Sequence, residues 1–116
     1  MAHPPHLLVA LSDHGYGHIT QTGPVVNRLR ALRPCLRLTI ASHAPRALLQ
    51  EVFDGDWKLA HLEKDSGMIM TSAFDVQRTA SAKTYRELHA NWRQAVQHTA
   101  QGLRALKPDL LLANGP

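Results

Sequence analysis

The stretch HLLVALSDHGYGHITQTGPVVNRLRAL, residues 6–32, decides the fold. It opens with a short apolar run, His6 to Leu11, of the kind found in a strand covered on both faces within a parallel sheet. After the polar junction Ser12 to Gly17, Val25, Val26, Leu29 and Leu32 recur at three- and four-residue steps, which predicts a helix with one apolar face. Pro24 lacks an amide hydrogen and suits a first helical turn, so the helix is expected to begin close to it; Pro34 ends it. A strand, a glycine-bearing turn and a helix are the first half of a β-α-β unit.

The rest of the chain continues that alternation. Residues 36–42 (LRLTIAS) are rich in β-formers and predict a second strand, residues 45–53 a short helix and residues 57–62 a weaker third strand. Residues 63–81 keep no period and read as a long loop, of a length that is usually functional. From Ser81 to Lys107, Tyr85, Leu88, Trp92, Val96, Thr99, Leu103 and Leu106 hold the helical rhythm, predicting one long amphipathic helix with Tyr85 and Trp92 in the core. Pro108 stops it, and residues 109–116 give a fourth strand ending in a polar turn. Strands alternating with helices require right-handed crossovers and a parallel sheet. The expected architecture is therefore an α/β, Rossmann-like three-layer domain spanning residues 1–116, with strand order 3-2-1-4.

Bulk properties agree with a single globular unit. The 116 residues are 44% hydrophobic and 19% charged, which argues against disorder, a coiled coil or a disulfide scaffold. Cys35 is the single cysteine and cannot pair internally, and the run Leu7 to Leu11 is too short for a signal segment or a membrane span. A reducing cytoplasm is the expected location. The formal net charge is +4, but Arg28, Arg30, Arg33, Arg37, Arg86, Arg93, Arg104 and Lys107 are scattered without interleaved aromatics. That pattern describes a solvated face better than a nucleic-acid surface.

In a 3-2-1-4 sheet the winding reverses beside the first strand, and a crevice opens at the carboxyl ends of strands one and four. Both polar junctions meet there. Gly15 and Gly17 allow the backbone to bend and a ligand to approach, while His14 and His18 flank the turn near the helix N-terminus, where anions are favoured. The two histidines stand four apart, yet the glycines between them disfavour helix and no third ligand is evident, so no metal is expected. Asn114 lies at a strand's carboxyl end, where ligands bind, and an Asn-Gly pair is also ordinary turn chemistry. Dinucleotide binding is disfavoured, because Thr20 occupies the third glycine position and Ser42-His43 replaces an acidic residue after the second strand.

His14-Gly-Tyr-Gly-His18, with Thr20, Gln21, Pro24 and the helix after them, resembles the first loop and helix of GT-B-fold glycosyltransferases, written GHGxGHxTRxxP. Asp65-Ser-Gly-Met-Ile, Phe74-Asp-Val and the helix leading to Lys107-Pro-Asp-Leu-Leu are similar to the glycosyltransferase-like half that precedes the kinase domain in L-arabinokinases. One position departs: Gln21 stands where that pattern carries arginine. The resemblance implies a partial GT-B N-terminal domain that holds a small-molecule sugar acceptor, with a C-terminal domain holding the nucleotide sugar in a longer two-domain chain. Leu110 to Leu112, with no covering helix after them, fit such a fragment. It further implies a catalytic His18, whose imidazole can take a hydroxyl proton, and no cofactor besides the nucleotide-sugar substrate. His14, Gly15, Gly17, Thr20, Gln21, Asp65, Gly67 and Asn114 are the expected substrate-binding residues, although the loop around Asp65 and Gly67 is as readily a plain surface connection. The competing expectation is a non-catalytic sugar- or nucleotide-binding module of the same fold, which Gln21 mildly favours.

Overall fold

The computed structural model describes residues 4–12, 16–62, 78–90 and 92–114. Its elements run β1 (His6–Leu11), α1 (Gly17–Leu32), β2 (Arg37–Ala41), α2 (Arg46–Val52), β3 (Lys58–Ala60), α3 (Arg78–Ala90), α4 (Trp92–Leu106) and β4 (Leu110–Asn114). The four strands form one sheet in the order β3-β2-β1-β4, and every neighbouring pair is parallel. This is a Rossmann-like α/β domain with the expected strand order.

Register divides the side chains cleanly between the two faces of the sheet. His6 pairs with Arg37, Leu8 with Thr39 and Thr39 with Lys58, so these residues share one face. Leu7, Val9, Leu11, Leu38 and Ile40 occupy the other, where α1 and α2 cover them. The core there is completed by Ile19, Val26, Ala44, Leu49 and Phe53. Phe53 and Leu49 are fully buried, each contributing on the order of 1.5–3 kcal/mol by taking apolar surface out of water. Gly23 sets the spacing between α1 and α2: a β-carbon added there would stand 2.2 Å from Val52 Cγ1 and 3.2 Å from the Val52 carbonyl oxygen. Asn27 spans the same seam, donating to the Val52 carbonyl and accepting from the Asp54 amide, both at 2.9 Å.

Several boundaries differ from the sequence reading. Helix α1 begins at Gly17, well before Pro24, which sits in its interior. Ile19 and Thr22 are buried against the sheet, and that packing holds the first turns helical despite the missing proline amide. The buried face is consequently Ile19, Thr22, Gly23 and Val26, while Val25 (61% exposed), Leu29 and Leu32 turn away from the core. Helix α2 and strand β3 are each slightly shorter than expected.

The expected helix over residues 81–107 is helical over Arg78–Ala90 and Trp92–Leu106, reaching back past its expected start to Arg78. Tyr85 (54% exposed) and Trp92 (53% exposed) lie outside the core to which their spacing assigned them. Helix α4 meets the second face of the sheet through its C-terminal half. Gly102 lies against Leu62, since a β-carbon there would come within 2.9 Å of Leu62 Cδ2. Strand β4 closes the sheet at one edge, with Leu110, Leu111 and Leu112 exposed and only Asn114 half-buried.

Candidate functional site at the carboxyl edge of the sheet

Asn114 is the last residue of β4 and pairs in register with Leu11, the last residue of β1. The Ser12 amide donates to the Asn114 carbonyl at 3.1 Å, which extends the ladder one step past the strands. Asn114 is thereby held at the carboxyl edge, on the face covered by α1. Helix α1 starts directly above it, with Tyr16 as N-cap offering no side-chain hydrogen bond and no acidic residue in the first turn. The first-turn amides keep their partial positive charge, which favours an anion beside them.

His18 enters this corner from the first turn of α1. Its Nδ1 lies 3.1 Å from Asn114 Oδ1, a contact that joins residues 96 positions apart. The Asn114 amide nitrogen donates to Thr22 Oγ1 at 2.7 Å and approaches the His18 carbonyl at 3.4 Å. Thr22 Oγ1 in turn donates to the His18 carbonyl at 2.7 Å. This closed set fixes the amide's orientation. Turning Asn114 over would place its oxygen against the His18 carbonyl and against a hydroxyl whose only proton is already committed. With Oδ1 an acceptor, Nδ1 of His18 must carry the proton, and the lone pair of the neutral ring therefore resides on Nε2. A histidine oriented by an amide through one nitrogen and free to accept a proton at the other has the arrangement of a general base.

The other expected site residues divide into three groups. Gly17 borders the same corner; it takes an ordinary helical position, and a β-carbon there would meet nothing within 4 Å. Its lack of a side chain leaves open space beside the first turn and is not demanded by the bend of the chain. Thr20 and Gln21 are exposed, and the Thr20 hydroxyl bonds to the carbonyls of Tyr16 and Gly17 at 3.0 and 3.2 Å, so neither residue joins the His18–Asn114 pair. His14, Gly15, Asp65 and Gly67 lie outside the described residues. Among the described residues no group of three or more His, Cys, Asp or Glu side chains could hold a metal ion, and no helix is long and apolar enough to cross a membrane.

Thr22 is the member of the site that the sequence reading missed. Its only signal is a position four residues after His18, one turn along the same helix side, where a buried hydroxyl can bridge the helix carbonyl to a neighbouring strand. Two more histidines stand at the same edge, farther along the sheet. The His43 and His61 rings are 5.3 Å apart, and His43 Nε2 donates to the Leu62 carbonyl at 2.8 Å.

The fold and this corner define the class: a Rossmann-like domain with a polar site at the carboxyl edge beside its first strand. No protein-family model, curated protein or solved structure matches the chain.

Proposed function

We propose that the chain is the acceptor-side domain of a glycosyltransferase of the GT-B kind, which moves a sugar from a nucleotide-sugar donor to a hydroxyl. On this reading His18 Nε2 takes the acceptor's hydroxyl proton as its oxygen bonds to the anomeric carbon. The bond from that carbon to the nucleotide phosphate breaks, and the nucleotide leaves with the electron pair. A second, C-terminal domain supplies the nucleotide sugar, and the first-turn amides of α1 face the anionic side of the reaction centre. Nucleotide sugars as donors agree with a cytoplasmic setting.

The observation that carries this reading is the hydrogen bond from His18 Nδ1 to Asn114 Oδ1, which leaves Nε2 as the basic nitrogen at the sheet's carboxyl edge. The motif around His14 to Gln21 supplies the substrate class by resemblance. Incubating the protein with its C-terminal domain, a panel of nucleotide sugars and sugar acceptors, and following release of free nucleotide, tests it. Turnover that falls at least about a hundredfold in His18→Ala supports the base assignment; turnover unchanged by that substitution removes His18 from the mechanism.

Gln21 favours a second reading, a sugar- or nucleotide-binding module without catalysis. The position that carries arginine in the resembling pattern is here neutral and exposed. Saturable binding of a nucleotide sugar with no nucleotide release is its signature in the same assay.

A further inference from the structure

At the opposite, amino edge of the sheet a cavity of about 560 Å³ opens beneath the strands. Such a volume lies in the range of small-molecule sites. Three of its lining residues, His6, Arg37 and Lys58, are the first residues of β1, β2 and β3. The parallel register puts all three, with Thr39, on one face of the sheet. The last turn of α4 contributes Ala105 and Leu106, and Trp57, Pro34 and Leu36 add further apolar wall.

The charges of this lining are unbalanced. Arg30, Arg37 and Lys58 face one carboxylate, Asp56. Arg30 donates to the carbonyls of Asp54 and Asp56 and meets no carboxylate in doing so. Arg37 donates Nε–H to the Pro4 carbonyl at 3.3 Å, which leaves both of its terminal nitrogens without a partner among the described residues. Lys58 Nζ has none there either. His6 is only 7% exposed, and its Nε2 lies 2.7 Å from Thr39 Oγ1, while Nδ1 has no hydrogen-bond partner among the described residues. Buried polar nitrogens are ordinarily paired, and a concave wall with excess cations concentrates anions.

We propose that this amino-edge cavity binds a small organic phosphate. The phosphate sits between Arg37 and Lys58, where the guanidinium offers a planar pair of donors and the ammonium a point charge, and the organic part rests on Trp57 and Leu106. The site is separate from the His18 corner and independent of the glycosyltransferase reading, because it lies at the other end of the strands.

The test is a titration of the isotope-labelled protein with phenyl phosphate at low ionic strength, read from the indole N–H resonance of Trp57. Saturable shifts are expected, with affinity about fivefold weaker in Arg37→Gln and in Lys58→Gln, each an exposed position whose neutral replacement spares the core. Inorganic phosphate binds more weakly than phenyl phosphate if the apolar wall contributes. Affinity should be unchanged in His18→Ala. Three results overturn the proposal: no saturation up to about 10 mM ligand, equal affinity in the double Arg37→Gln/Lys58→Gln variant, or loss of binding in His18→Ala, which would place the anion at the other edge.

Discussion

His18 Nδ1 and Asn114 Oδ1 stand 3.1 Å apart and join the first turn of α1 to the end of β4. The pairing dictates which ring nitrogen is protonated, because the Asn114 amide has its nitrogen committed to Thr22. Asn114→Ala removes that instruction and leaves both tautomers accessible. Nitrogen NMR of the neutral His18 ring should show a predominantly Nδ1-protonated imidazole in the native protein and a mixture in Asn114→Ala. Turnover, where present, should fall in Asn114→Ala with His18 still in place, by about tenfold to a hundredfold. An unaltered tautomer distribution would mean that some other group orients the ring.

Thr22→Val keeps the shape of the side chain and removes the hydroxyl between His18 and Asn114. The Asn114 amide then keeps only its long 3.4 Å approach to the His18 carbonyl, so a half-buried donor is left nearly unsatisfied. We expect a stability loss of about 1–3 kcal/mol in urea unfolding, together with partial loss of the tautomer preference at His18. Thr22→Ser retains the hydroxyl and should restore the tautomer preference.

The sheet order and the placement of Asn114 opposite the Ser12–Gly17 junction were legible in the sequence, because apolar runs such as LLVAL and the crossover rules leave few topologies. Which face of α1 is buried was not. Val25, Leu29 and Leu32 carry the helical period more visibly than Ile19, Thr22 and Gly23, yet the direction from which α2 and the sheet approach selects the second set. Gly23 and Thr22 score as polar or neutral in any apolar pattern, and their worth lies in closeness to Val52 and Asn114. The same limit applies to Tyr85 and Trp92: periodicity marks a stripe on a helix, and whether anything covers the stripe is a tertiary matter. His6 reads as one more residue of an apolar strand, and only the register with Arg37 and Lys58 turns it into part of a charged cavity.

Gly23→Ala tests the contact between α1 and α2. Alanine is the better helix former by about 1 kcal/mol, so propensity alone predicts stabilisation. The added β-carbon would stand 2.2 Å from Val52 Cγ1, and the nearby Val52 carbonyl at 3.2 Å belongs to backbone that cannot swing aside. Overpacking should therefore prevail and give a net loss of about 1–3 kcal/mol. Combining it with Val52→Ala, which removes the struck methyl, should recover part of that loss, a non-additivity readable from a double-mutant cycle in urea.

Asn27 holds together the end of α2 and the approach to β3. Its amide donates to the Val52 carbonyl and accepts from the Asp54 amide, two backbone groups that α2 cannot satisfy internally at its C-terminus. Asn27→Ala leaves both groups to water or unpaired and should cost about 1–3 kcal/mol, with amide exchange at Asp54 accelerated beyond the change expected from global stability. Asn27→Asp preserves the acceptor for the Asp54 amide but sets a carboxylate oxygen against the Val52 carbonyl, in place of a donor. Exchange at Asp54 should then stay slow while stability still falls, which separates the two halves of the contact. If both variants exchange alike at Asp54, the Asn27 side-chain oxygen does not protect that amide.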